Sequence, residues 1–153
     1  MKTDNGSKKA VDDRSFFKEK KDGERADKKL RAFQQAELNA MTTYRALAER
    51  MTEEPIRDLL QRIAADEGRH AAVFRGLTCV TLPIKKGTMR AALFMNALFR
   101  ERFTLRVLAG FEKRAGKRYE RFLERYGINE VSPMIDVELE HAEKLSAAAK
   151  EKK

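Results

Sequence analysis

The sequence predicts an all-α protein: a bundle of four long helices, with an extra short helix in a long crossover between the second and third. Its composition is that of a helix-rich globular domain, with 42% hydrophobic and 37% charged residues but only eight glycines and three prolines. Apolar residues recur at helical spacing in four long segments. These segments form two successive helix–helix halves that share one pattern of polar residues, which predicts a pseudo-duplicated bundle.

The first half is expected to begin after a charged tail. Residues 1–26 mix acidic, basic and small residues with few apolar ones, which predicts a disordered extension. The first helix is expected from about Ala26 to Met51, with an apolar stripe along one face. The second is expected over about residues 54–76, after a short break that ends in proline.

The second half follows a longer connection. Residues 77–87 are the only extended-looking link, and its length suits a crossover between two helix pairs. A short apolar helix is expected over about residues 88–101 and the third long helix over about 102–126. Gly127 is placed to end that helix, and the last helix is expected to open at Ser132.

Length, cysteine content and charge bound the class of protein. The chain of 153 residues is long enough for one domain with a substantial core, which we place at residues 27–150. Cys79 is the only cysteine, so the sequence encodes neither an intrachain disulfide nor a paired-thiolate metal site. Together with an N-terminus that lacks an apolar signal segment, this favours a cytoplasmic protein. The net charge of +9 fits a solvated basic surface, and no nucleic-acid-binding motif accompanies it, so nucleic acid is not an expected partner.

Both histidines of the chain stand in the same short motif. His70 follows Glu67 by three residues, and His141 follows Glu138 by three residues. Residues at positions i and i+3 share one face of a helix, so each Glu-x-x-His aims a carboxylate and an imidazole at one point. The repeated motif therefore predicts two matching sets of metal-ligating groups.

Two further glutamates complete the repeat. Glu37 and Glu112 each interrupt the apolar stripe of a long helix, and each is followed seven residues later by a tyrosine, Tyr44 and Tyr119 respectively. Four carboxylates in an apolar interior are costly unless they are paired. Two divalent cations would neutralise them, and a donor set of carboxylate and imidazole without thiolate suits iron or manganese.

The candidate site consists of six metal ligands and three residues that are expected to hydrogen-bond them. The six predicted metal ligands are Glu37, Glu67, His70, Glu112, Glu138 and His141. The Glu-x-x-His pairs are expected to cap the two metals, and the single glutamates to bind terminally or to bridge them. Tyr44 and Tyr119 are expected to hydrogen-bond ligand carboxylates, and Asp66 to orient a metal-bound imidazole on one side only, because Val137 occupies its place in the second half. The structural alternative for each residue alone is an interior salt bridge or a satisfied core histidine.

With these motifs the chain resembles the ferritin-like superfamily and, within it, the rubrerythrin-type di-iron proteins. The resemblance covers about residues 28–148 and rests on Glu37 with Tyr44, residues 66–70, Glu112 with Tyr119, and residues 138–143. It implies a homodimeric ferritin-like bundle whose non-haem di-iron centre reacts with peroxide or dioxygen or oxidises Fe(II). Rubrerythrins usually carry a further glutamate where this chain has Ala115, and a rubredoxin domain that this sequence lacks. A separate electron donor is therefore expected.

Four functions stay open on this basis. The leading one is a di-iron, or di-manganese, oxidoreductase acting on peroxide or dioxygen. The second is an iron-binding or ferroxidase protein that hands iron to a storage or transport partner. The third is a membrane-associated enzyme similar to quinone hydroxylases, because the cationic, apolar segment 85–107 fits a membrane interface as well as a buried crossover helix. The fourth is a metal-free helical protein whose basic surface binds a polyanion.

Overall fold

The predicted all-α fold is confirmed. The computed structural model describes residues 13–151, and within this range the chain forms α-helices and one 3-10 turn but no β-strand. The five α-helices are α1 (Asp13–Ala48), α2 (Glu54–Thr78), α3 (Gly87–Leu98), α4 (Glu101–Tyr126) and α5 (Ser132–Glu151). The 3-10 turn, Asn129–Val131, joins α4 to α5.

The first helix is longer than the sequence pattern indicated. It begins at Asp13 rather than near Ala26, so residues 13–26 are helical, while residues 1–12 of the expected tail lie outside the described residues. One ion pair lies in this polar segment, between Arg25 and Asp22 at 3.4 Å, and a second follows just beyond it, between Arg31 and Asp27 at 2.9 Å. Such pairs each add a few tenths of a kcal/mol to a helix, roughly 0.2–0.5. A search for an apolar stripe does not detect this support.

The helices pack as two antiparallel pairs. α1 lies along α2 and α4 lies along α5, each pair being joined by a short turn. α4 ends at Gly127, whose positive φ of 65° gives the left-handed cap that glycine adopts without steric cost. The two pairs face one another across the centre of the molecule, where side chains from both pairs meet.

Two apolar clusters make up the core. One contains Tyr44, Leu60 and Leu105, and the other contains Phe74 and Tyr119. Each tyrosine packs its ring in its own cluster and directs its hydroxyl to a buried glutamate. The candidate ligands therefore lie in a polar layer between two apolar regions.

The crossover between the two pairs is held against α1. Gln34 donates a hydrogen bond to the carbonyl of Val80 at 2.8 Å and accepts one from the hydroxyl of Thr78 at 2.8 Å. Gln35 donates to the carbonyl of Pro83 at 3.0 Å. These bonds satisfy backbone groups of a segment that has no helical partners of its own. They set the position from which α3 starts.

The crossover helix α3 lies over α1 and only loosely against α4. It has 12 residues, and its outer side exposes Phe94 and Leu98. Across residues 13–151, every helix is too short or too polar to cross a bilayer. The loose contact between α3 and α4 leaves an opening above the polar layer, and the candidate site lies beneath it.

Candidate metal centre

The structure brings the six predicted ligand residues together. α1 and α4 each contribute one glutamate, and α2 and α5 each contribute a Glu-x-x-His pair. All six side chains are buried, with exposures between 0% for Glu138 and 7% for His70. The glutamates of α2, α4 and α5 lie on the core side of their helices, because most of their neighbours three and four residues away are buried, and Glu37 lies among partly buried neighbours.

The ligand atoms form two overlapping groups. Within each group the atoms lie within 4.8 Å of one another. The first group is Glu37, Glu67, His70 and Glu138, and the second is Glu67, Glu112, Glu138 and His141. Glu67 and Glu138 belong to both groups, whereas Glu37 and Glu112 belong to one each. The carboxylates in the shared position are thus those of the two Glu-x-x-His pairs, and the single glutamates are terminal.

Each imidazole faces a carboxylate of the opposite helix pair. Nδ1 of His70 is 3.0 Å from Oε1 of Glu138 and 3.6 Å from Oε2 of Glu37. Nδ1 of His141 is 3.2 Å from Oε1 of Glu67 and 4.0 Å from Oε2 of Glu112. In both cases the nearer carboxylate is the motif glutamate of the other helix pair, and the farther one is the single glutamate of the same pair. The duplication seen in the sequence is therefore also present in the geometry.

The donor atoms of this cluster are buried without hydrogen-bond partners. Those atoms are Oε2 of Glu37, Oε1 of Glu67, Nδ1 of His70, both carboxylate oxygens of Glu138 and Nδ1 of His141. Leaving one buried polar atom unsatisfied costs about 1–3 kcal/mol, and more if it is charged. Cations between these atoms would satisfy them together. Carboxylate oxygen and imidazole nitrogen are common metal donors, so the chemistry of these residues fits a bound metal ion.

The pKa values show the cost of crowding these carboxylates. Burial, aided by the charges of Glu138 and Glu112, raises the pKa of Glu37 to about 8. Burial and the neighbouring Glu138 raise the pKa of Glu112 to about 9, and burial holds the pKa of Glu67 well above its ordinary value. Without cations the cluster therefore retains protons at neutral pH, and metal binding has to displace them.

Two tyrosines connect the helix pairs through the ligands. Tyr44 of α1 donates its hydroxyl hydrogen to Oε1 of Glu112, and Tyr119 of α4 donates to Oε1 of Glu37. Each tyrosine thus binds the single glutamate of the opposite pair, rather than the one seven residues before it. Burial and the charge of Glu112 raise the pKa of Tyr44 well above its ordinary value, so this phenol remains a donor.

Asp66 lies within hydrogen-bonding distance of only one of the two histidines. Its Oδ2 lies 3.1 Å from Nε2 of His141, the ring nitrogen remote from the cluster. Burial alone would raise the pKa of Asp66, but the hydrogen bond with His141 and the ion pair with Arg69 lower it. Val137 takes the corresponding place in α5, and among the described residues no hydrogen-bond partner lies at Nε2 of His70. Such outer carboxylates fix the orientation of a ligating imidazole.

A cavity adjoins the cluster on the side covered by α3. It has a volume of about 410 Å³ and lies between α1, α3 and α4. Its floor carries the four glutamates of the cluster, and its walls are mainly apolar. The sequence motifs do not reveal this cavity, because alanines form much of its lining and a single alanine carries no functional signal.

The chain was compared with known proteins at three levels. No protein-family model, no curated protein and no solved structure matches it. The resemblance to rubrerythrin-type proteins therefore stays an interpretation of the motifs. The buried cluster of carboxylates and imidazoles is the structural feature that bears on function.

Proposed function

We propose that this protein is a rubrerythrin-type member of the ferritin-like four-helix bundles and acts as a non-haem di-iron or di-manganese oxidoreductase on peroxide or dioxygen. The observation that carries the proposal is the pair of overlapping ligand groups that share Glu67 and Glu138. Carboxylate bundles that bind two metals take one glutamate from each of two helices and a Glu-x-x-His from each of the other two. The chain supplies this set from four helices.

We infer the role of each ligand residue from its place in the two ligand groups. Glu67 and Glu138 belong to both ligand groups and would contact both metal ions, and each group has one further glutamate and one imidazole. When bound, the metal ions supply the redox chemistry, and the protein supplies orientation and shielding from water. Tyr44 and Tyr119 hold the terminal carboxylates by donating to one oxygen, which leaves the other oxygen directed to the cluster.

Regeneration of the reduced centre requires a separate electron donor. Cys79 is exposed and is the only cysteine, so the chain lacks the paired thiolates of a rubredoxin-type relay. The donor is therefore proposed to be another protein or a small reductant.

An anaerobic Fe(II) titration of metal-free protein tests the proposal. We expect saturation near two Fe(II) per chain, followed by rapid loss of Fe(II) when peroxide or air is added. A variant with both Glu67→Ala and Glu138→Ala is the control and should take up no stoichiometric iron. If the unsubstituted protein binds no iron, the metal-free interaction protein becomes the better account.

The fate of the oxidised iron separates the enzyme from an iron-handling protein. The same six residues serve both, so binding alone does not distinguish them. An oxidoreductase should retain its iron and consume peroxide repeatedly when a reductant is present. Release of iron to a chelator or acceptor after a single oxidation would instead support the iron-handling function.

A further inference from the structure

The cavity above the cluster is much larger than a peroxide or dioxygen substrate needs. Its volume is about 410 Å³. A cavity of about 10–15 Å³ already accommodates one water-sized probe, and pockets for organic ligands span roughly 300–1,000 Å³. The cavity is therefore in the size range of sites that hold organic molecules.

The cavity exists because three helices carry small residues where they face one another. Five alanines line the cavity: Ala36 and Ala40 from α1, Ala91 and Ala92 from α3, and Ala115 from α4. Protein interiors are close-packed, and larger side chains at such positions would fill the gap between the helices. Because the alanines come from separate segments and converge on one space, the cavity is built into the packing of these helices.

The lining determines what kind of molecule fits. Beyond the alanines, the walls are mainly apolar and include Met95, Val107 and Phe111, with a few polar residues such as Arg118, while the floor carries the carboxylates of the cluster. Phe111 also has 54% of its surface exposed, so the cavity is bordered at this residue by solvent. An apolar body would bury its surface against these walls, and a single oxygen group would suit the polar floor.

We propose that this cavity binds an apolar, phenol-like organic molecule, with its hydroxyl group directed to the carboxylate floor. The proposal deepens the proposed function by naming a ligand for the same site. The proposal rests on that function only where it assumes metal ions at the floor of the cavity. The apolar part of the ligand would be buried between α1, α3 and α4 whether or not metal ions are bound.

Binding of 2-naphthol, followed by its fluorescence, tests the proposal. We expect saturable binding of one molecule per chain to metal-free protein and to protein loaded with redox-inert Zn(II). Ala91→Trp fills the cavity from α3 and should weaken binding at least tenfold. Ala97→Trp is the matched control, since Ala97 is exposed on the same helix and does not line the cavity. Absence of saturable binding, or equal weakening by both substitutions, would overturn the proposal.

Methionine methyl resonances give a second test that needs no substitution in the cavity wall. Met95 lines the cavity, whereas Met134 is buried in the apolar cluster that contains Phe74 and does not line it. Addition of 2-naphthol should shift the Met95 methyl signal and leave that of Met134 unchanged. If both signals stay in place, or both move alike, the ligand does not occupy this cavity.

The two proposals fail in distinguishable ways. Metal uptake and 2-naphthol binding are measured on the same preparations. Full metal uptake without 2-naphthol binding would remove the cavity ligand and leave the metal centre standing. Binding of 2-naphthol to protein that takes up no metal would support an organic-ligand site and remove the metal centre.

Discussion

The α1–α2 and α4–α5 helix pairs provide equivalent candidate ligands but unequal support for them. Each pair contributes a single glutamate, a tyrosine seven residues later and a Glu-x-x-His. The carboxylate of Asp66 lies 3.1 Å from Nε2 of His141, whereas Val137 takes the matching sequence position in α5 and offers no such group to His70. We therefore expect the two proposed metal positions to share a donor set yet to differ in metal affinity, because an outer carboxylate orients only one of the two imidazoles.

The comparison also shows that neither half forms a site alone. Tyr44 holds Glu112, Tyr119 holds Glu37, and each imidazole has a carboxylate of the other pair as its closest partner. The candidate site therefore needs residues from both helix pairs. Substitutions at matched positions of the two pairs test whether the two proposed metal positions behave alike.

The largest effect is expected at the shared carboxylates. Glu67→Ala and Glu138→Ala should each reduce uptake from two Fe(II) per chain to no stoichiometric binding, because each residue contacts both positions. The unfolding free energy of metal-free protein should change little or rise, since a buried carboxylate is removed. Glu140→Ala, at an exposed position of α5, is the control and should bind iron normally. Strong destabilisation with unchanged metal content would contradict the site.

The terminal glutamates should have half that effect. Glu37→Gln and Glu112→Gln each alter one ligand group, so each variant is expected to bind about one metal per chain tightly. Metal analysis after gel filtration measures the stoichiometry. Loss of both metals from either variant would show that its carboxylate is also shared.

The stability of the metal-free protein should depend on pH through the same two glutamates. The pKa values of Glu37, about 8, and Glu112, about 9, lie above the ordinary value of 4.5. Their stabilising contribution is complete below pH 4.5 and is lost progressively as pH rises from 4.5 to the folded-state pKa values of about 8 and about 9, because over this interval the unfolded chain has released protons that the folded chain still holds. Urea unfolding midpoints should fall over this range, and the slope should flatten in the Glu37→Gln, Glu112→Gln double variant. A midpoint that rises with pH would refute the assignment.

The unequal support can be tested by removing it and by copying it. Asp66→Asn should weaken metal binding at the His141 position about 10- to 100-fold, the usual effect of losing an outer carboxylate. The His70 position should be unaffected by that change. Val137→Asp should tighten the His70 position if the added carboxylate reaches Nε2. Equal weakening of both positions by Asp66→Asn would mean that the asymmetry has no energetic consequence.

The smallest effect is expected at the tyrosines. Tyr44→Phe and Tyr119→Phe each remove one hydrogen bond to a terminal carboxylate. Each should lower the unfolding free energy by about 1 kcal/mol and retain both metals. Thermal unfolding of the two variants side by side measures this. A clear difference between them would reveal a second asymmetry between the halves.

The sequence by itself determined the all-α class and singled out the six residues that meet at the centre. It could do so because a glutamate or histidine on an apolar helical stripe is costly without a partner, so its presence there is informative. The same logic failed at the start of α1, where residues 13–26 are helical although their sequence has no apolar stripe, and where Arg25 forms an ion pair with Asp22. The spacing of apolar residues therefore identified the residues that face the core. It did not identify the part of α1 that lacks a core-facing stripe.

Only the tertiary structure decided how these residues combine. The shared position of Glu67 and Glu138 and the crossed bonds of the tyrosines depend on how four helices are placed around one centre. The cavity depends on alanines from α1, α3 and α4 meeting in one space. Spacing along one helix specifies a face, but distances between helices follow from the packing of every side chain between them.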